Sequence, residues 1–172
     1  MSSFIKKFKL VSVFSLLVFG CFQSACGQKT FDEKMQSLYS KTVPLIKADD
    51  LESKLSQDIV ILDTRSPKEF EISHIEGAQL IVYDKFRKSD VKSIDKNQEV
   101  IVYCSVGYRS EKIGEKLQEM GFKNVKNLYG GIFDWKNNDK IIFNNSSTET
   151  DSVHTYNKDW SQWLYKGIKV YE

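Results

Sequence analysis

Two stretches of the chain are apolar without interruption and rich in β-branched residues: Ile59-Val60-Ile61-Leu62 and Val100-Ile101-Val102-Tyr103. Such runs have no polar face, so they predict strands buried on both sides, as in a parallel sheet covered by helices. The first run ends at Asp63. It is followed by Ser66-Pro67-Lys68-Glu69, with Ser at an N-cap, Pro at the first helical position and Glu three residues after the cap. This capping box predicts a short helix through Phe70 and Ile72. The second run ends at Cys104 and precedes a helix over Ser110 to Met120, whose Ile113, Leu117 and Met120 share one face and which Gly121 closes. Val43 to Ile46, Gln79 to Val82 and Val125 to Leu128 read as further short strands, and Asp49 to Leu55 as a helix with acids at its start. Between them, Tyr83 to Asp95 is polar, with room for a helical turn.

Strands alternating with helices predict an α/β layer with a mainly parallel sheet. Ligands of such sheets bind beyond the carboxyl ends of the strands. Asp63 and Cys104 each stand just past a core strand, so parallel strands place both at one edge.

The two ends of the chain read differently. Lys6, Lys7 and Lys9 precede an apolar run, Leu10 to Phe22, of about 13 residues, short of the roughly 20 that span a bilayer. Residues 1–27 therefore read as a secretory leader. Val18-Phe19-Gly20-Cys21 resembles a lipobox, which makes Cys21 the candidate lipidated residue; Ser24-Ala25-Cys26 and Ala25-Cys26-Gly27 are alternative cleavage sites. The expected location is outside the cytoplasm, in the periplasm or anchored to the cell envelope. Residues 28–42 are polar and read as a tether with some helical character, 43–139 as the folded domain, and 140–172 as a C-terminal extension. In that extension Tyr156, Trp160, Trp163 and Leu164 recur at helical spacing, which predicts an amphipathic helix stopped by Gly167.

Composition narrows the function. Of 172 residues, 41% are hydrophobic and 28% charged, which excludes a disordered or multispanning chain. The formal charge is +2, and loss of the three leader lysines turns it slightly negative, so nucleic acid is not expected as a partner. Two of the 3 cysteines lie in or beside the leader. Cys104 is then a free thiol without a disulfide partner, open either to chemistry or to simple packing. The only histidines, His74 and His154, lack zinc-type spacing, so neither a metal nor another cofactor is expected.

Cys104-Ser105-Val106-Gly107-Tyr108-Arg109-Ser110 joins a buried strand to a helix N-terminus. A loop of this kind turns backbone N–H groups inward and adds the positive end of the helix dipole, which favours an anion and a thiolate. Gly107 permits the tight curl, and Arg109 brings a fork of donors suited to a sulfonate, phosphate or carboxylate.

In these motifs the sequence resembles the rhodanese-like family. The resemblance rests on Leu62-Asp63-Thr64-Arg65 with Glu69-Phe70, His74-Ile75-Glu76-Gly77-Ala78, the loop Cys104 to Ser110, and Gly130-Gly131-Ile132-Phe133-Asp134-Trp135. It covers about Val43 to Asn137. Ser73 departs from the glycine usual before the histidine. The resemblance implies a three-layer α/β domain with a central sheet of about five strands, and a sulfurtransferase. Cys104 would take the outer sulfur of a small anionic donor, thiosulfate or a persulfide, and pass it to an acceptor such as a thiol or cyanide. Ser105, Val106, Gly107, Tyr108 and Arg109 would bind the donor and the persulfide, Arg109 holding the anion. Asp63 and Arg65 would support the active-site edge, and His74 a structural turn. Two alternatives stand beside this. Cysteine phosphatases place five residues between cysteine and arginine, whereas only four intervene here; and a loop of this kind can also bind an anion or a partner without turnover.

Overall fold

The structure, a computed structural model, describes residues 30–171. Cys21 and the leader lie outside the described residues. The chain forms helix α1 (Phe31–Leu38), strand β1 (Leu45–Ile46), helix α2 (Ala48–Glu52), strand β2 (Ile59–Asp63), helix α3 (Pro67–Ile72) and strand β3 (Gln79–Leu80). Single-turn 3₁₀ helices at Tyr83–Lys85 and Lys88–Val91 occupy the polar stretch and lead to strand β4 (Glu99–Tyr103), helix α4 (Tyr108–Glu119), strand β5 (Asn124–Leu128) and helix α5 (Gly131–Asn137).

The central sheet has the order β1-β5-β4-β2-β3, with every pairing parallel. The two apolar runs are neighbours at its centre, Val60 beside Val100 and Asp63 beside Tyr103. Alternate residues face opposite ways along a strand, so two cores form. Val60, Leu62, Val100 and Val102 pack with Ile113 and Leu117 of α4. Ile61, Ile101 and Tyr103 pack on the other face with Leu51, Ile75, Ile132, Phe133 and Trp135. This is the layered α/β fold expected from the alternation. The predicted helix over Ser66–Ile72 begins with both halves of its capping box formed: Ser66 Oγ accepts from Glu69 N, and Glu69 accepts from Ser66 N.

The segments on either side of the central sheet depart from expectation. The stretch 28–42 is not a polar tether over its described length: Thr30 and Glu33 form a capping box, and α1 packs with Met35 fully buried and Tyr39 nearly so. Phe31, Met35 and Tyr39 stand four residues apart, and that stripe is what draws the helix onto the domain. Glu111 fixes the segment that follows, its carboxylate accepting from the backbone N–H of Ser40 at 2.9 Å and of Thr42 at 3.1 Å.

The C-terminal amphipathic helix is also corrected. After a hairpin of β6 (Ile142–Phe143) and β7 (Glu149–Thr150), strand β8 (Ser152–His154) pairs in parallel with β9 (Ile168–Val170), and only one turn, α6 (Lys158–Ser161), lies between them. Tyr156 sits at φ 66°, outside helical backbone. Asn157 caps α6 through Trp160 N. Further on, the Asn137 side chain accepts from Tyr165 N at 2.6 Å and donates to Trp163 O at 3.0 Å, taking backbone groups that a longer helix would need. Trp163 and Leu164 are buried all the same.

Deleting buried side-chain volume from a packed helix costs about 2 to 5 kcal/mol. Met35→Ala is expected to reduce the unfolding free energy by that order, read as a lower urea midpoint with an unchanged m value. An unmoved midpoint would show that α1 contributes nothing to the core.

Candidate active site

Because β2 and β4 run in register and in parallel, their carboxyl ends deliver Asp63-Thr64-Arg65 and Cys104 to the same edge of the sheet. Asp63 and Arg65 are fully buried and paired: Nη2 of Arg65 donates to Oδ2 of Asp63 at 2.6 Å and Nε to Oδ1 at 3.0 Å. Arg65 Nη2 also reaches the Ser73 carbonyl. Burial alone would weaken the Arg65 charge, but Asp63 more than reverses that and keeps the guanidinium protonated. The pair ties β2 to the end of α3, and neither residue lines the pocket over Cys104.

Cys104 is 1% exposed and forms the base of a cavity of about 440 Å³. The loop beyond it closes on the sulfur: Gly107 N donates to Cys104 Sγ at 3.1 Å. Gly107 has φ 93°, and a β-carbon there would collide with the Tyr39 ring. Helix α4 starts at Tyr108, two residues earlier than expected, so Arg109 lies in its first turn.

The guanidinium of Arg109 lines the cavity but is shared with a buried carboxylate. Its Nη2 donates to Glu69 Oε1 at 2.7 Å and its Nη1 to Glu69 Oε2 at 3.1 Å, while Ser105 Oγ donates to Glu69 Oε1 at 2.9 Å. Glu69 is buried. Burial would raise its pKa, but the hydrogen bonds and charge of Arg109, with help from Arg65 and the Ser66 amide, bring it down to about 2.

Three residues that sequence reasoning did not place in the site hold the loop. One is Glu69, read from the sequence as a helix cap and as part of the family motif but given no role at the loop. Another is Tyr39, whose hydroxyl donates to Val106 O at 2.7 Å and accepts from Gly130 N at 2.8 Å. Burial pushes that phenol far above its ordinary pKa, so it stays a donor. The third is Asn127 of β5, which donates to Gly107 O at 2.9 Å and accepts from Ser110 Oγ at 2.7 Å. The N-terminus of α5 completes the support: Ile132 N donates to Cys104 O and Phe133 N to Ser105 O. Gly131 permits this approach, since a β-carbon there would strike Cys104 O. A Thr-x-x-Glu box with an apolar stripe at four-residue spacing was the available signal for α1; a polar residue inside β5 was the signal for Asn127.

The Rhodanese-like domain model matches residues 47–138, more than half of the chain. The chain belongs to the rhodanese-like family. Over 102 residues it is 31% identical to a tRNA uridine(34) hydroxylase of Photorhabdus laumondii, a match that spans 56% of this chain but only 29% of that protein. Its fold is similar to the solution structure of a rhodanese-like domain from Anabaena, at 25% identity and a TM-score of 0.55, covering 59% of this chain and 79% of that one. It is also similar in fold to a thiosulfate sulfurtransferase of Pseudomonas aeruginosa, at 20% identity and a TM-score of 0.55, covering 71% of this chain and 23% of that one. Tyr39, which braces the rhodanese-like loop, stands outside the matched segment.

Glu69 titrates lower in the folded chain than its ordinary value of 4.5. Its contribution is therefore complete above about pH 4.5 and is lost as the pH falls toward about 2, amounting to about 3 kcal/mol. Glu69→Gln is expected to be less stable by that order at pH 7, with the gap to the wild type roughly halved by pH 3 and closing only toward pH 2. Urea midpoints at pH 3, 5 and 7 measure it, and a pH-independent gap would contradict the assignment.

Proposed function

We propose that the protein is a sulfurtransferase that carries sulfane sulfur on Cys104. The observation that supports this most directly is a buried thiol at the base of an open cavity, with the Gly107 amide on its sulfur and a loop held from behind by Tyr39, Asn127 and Glu69. Donors fixed in advance around a reacting atom stabilise developing charge without reorganising. In the forward step the Cys104 thiolate attacks the outer sulfur of the donor. The new S–S bond forms as the donor's S–S bond breaks, and sulfite leaves thiosulfate with the electron pair. An acceptor thiol or cyanide then attacks the terminal sulfur and restores the Cys104 thiolate, which is covalent catalysis in two steps. The Ser105–Arg109 loop surrounds the added sulfur, and Asp63 with Arg65 fixes the edge that carries it.

The tRNA named in the Photorhabdus relative is not carried over. The shared segment is a minor part of that protein, and a near-neutral chain with an apolar cavity over Cys104 gives RNA little to bind. The cellular setting we propose is export with a lipid on Cys21, from the basic start, the apolar run and Gly20-Cys21. Mature protein should fractionate with membranes, and Cys21→Ala should release or misprocess it; a lipid-free mature N-terminus at Gln28 would oppose this.

Thiosulfate is expected to raise the intact mass of the protein by one sulfur atom, and cyanide to remove that sulfur as thiocyanate. Cys104→Ser should abolish both steps with the circular dichroism spectrum unchanged. Folded protein that takes up no sulfur from thiosulfate, a thiosulfonate or a persulfide would make this a binding module.

A further inference from the structure

The cavity over Cys104 is larger and less polar than sulfur transfer from a small inorganic anion requires. Its volume of about 440 Å³ falls in the range of small-molecule sites, about 300 to 1,000 Å³. Aromatic rings of Tyr83, Tyr108, Tyr156 and Trp160 form much of its wall, with Leu38 among them. Among the described residues, the charged ones that line it are Asp84 and Arg109, and Arg109 is already engaged by Glu69 through two nitrogens. A dianion entering it would lose water and find little net positive charge in return.

Part of that wall is not built by the segment common to the family. Leu38 closes α1, and Tyr156 and Trp160 belong to the C-terminal extension, all outside residues 47–138. These walls are placed by specific contacts. Asn157 Oδ1 accepts from Trp160 N at 3.0 Å, and the Lys34 ammonium lies 5.0 Å from the centre of the Trp160 ring. Tyr156 is 60% exposed while held at φ 66°, with its N–H donating to His154 Nδ1 at 3.0 Å. Left-handed backbone is uncommon for a large residue and marks a position fixed by its surroundings. At Tyr156 it holds an aromatic ring at the cavity mouth, where the fold itself buries little of it.

We propose that the cavity takes an organic carrier of sulfane sulfur, whose apolar or aromatic body lies against Trp160, Tyr156 and Leu38 while its terminal sulfur meets Cys104. This rests on the sulfurtransferase reading and adds the substrate class. For a persulfide R–S–SH, the Cys104 thiolate bonds to the outer sulfur as the carrier's S–S bond breaks. The thiolate R–S⁻ leaves with the electron pair, and the proton of R–S–SH is shared out between it and the new Cys104 persulfide.

Two stable thiosulfonates test the proposal, because they present the same singly charged reacting group on different bodies. Methanethiosulfonate carries a methyl group and benzenethiosulfonate a phenyl ring, and each gives its outer sulfur to a thiolate with loss of the matching sulfinate. The readout is the ratio of kcat/KM for the phenyl over the methyl donor, divided by the same ratio for a free thiol in solution, which removes intrinsic reactivity. The corrected ratio should be about tenfold or more for the wild type, the scale of discrimination an apolar pocket supplies, and should fall toward one in Trp160→Ala and in Tyr156→Ala. Tyr156→Ala alters an exposed side chain and so guards against loss of fold. A corrected ratio near one, or one that neither substitution moves, while thiosulfate still loads Cys104, overturns the substrate class alone. No loading from thiosulfate or from either thiosulfonate overturns the sulfurtransferase reading and this proposal with it.

Discussion

The carboxylate of Glu69 joins two parts of the chain that have no local reason to meet. On one side it closes the capping box of α3 through the Ser66 amide; on the other it accepts from Ser105 Oγ and from two nitrogens of Arg109, 36 and 40 residues away. A buried carboxylate is tolerated only with such partners, and a buried ion pair stripped of one member leaves an uncompensated charge. Helix α3 and the loop after β4 therefore hold each other in place. The consequence for chemistry is that the guanidinium beside Cys104 is largely neutralised. Stabilisation of the sulfur then falls to short-range dipoles, above all the Gly107 amide and the start of α4.

Those dipoles act only if the loop keeps its shape before any donor arrives. Its carbonyls are bound one after another by groups from different elements: Cys104 O and Ser105 O by the first amides of α5, Val106 O by Tyr39, and Gly107 O by Asn127. With its carbonyls held outward, the loop turns the Gly107 amide toward the sulfur. A backbone curl fixed in this way does not depend on a ligand for its geometry, which is what a preorganised site requires.

Local pattern made much of this legible in the sequence. The two apolar runs, the Ser66–Glu69 box and the loop from Cys104 to Arg109 each declare themselves within a few residues, and parallel pairing then brings Asp63 and Cys104 to one edge. What escaped detection depends on contacts between distant residues. Tyr39 reaches Val106 across 67 positions, and Asn127 reads in isolation as one polar residue in a strand. Glu69 satisfies a cap so well that its second role leaves no trace in spacing. The tail erred in the opposite direction. Tyr156, Trp160, Trp163 and Leu164 have helical periodicity and the last two bury, but the backbone obeys Asn137 and the left-handed turn at Tyr156 instead.

Helix α1 and the C-terminal segment meet beside the cavity. The Phe31 ring meets Trp163 and Tyr165 edge-on, with centroids 6.4 Å and 6.0 Å apart, and Lys34 covers Trp160. Residues that stabilise the packing of α1 thus also position the aromatic wall above Cys104. The loop itself is gripped by α5, Asn127 and the Tyr39 hydroxyl. The hydrogen bonds that grip the loop come from neither Trp160 nor Tyr156, whereas Tyr108 belongs to both loop and wall. Changes in Trp160 or Tyr156 alter what can enter without touching the groups that hold the sulfur, whereas changes in Glu69, Tyr39 or Asn127 disturb the loop whatever the substrate. On the proposed function, that division lets one sheet edge keep its sulfur chemistry while segments outside residues 47–138 shape what reaches it.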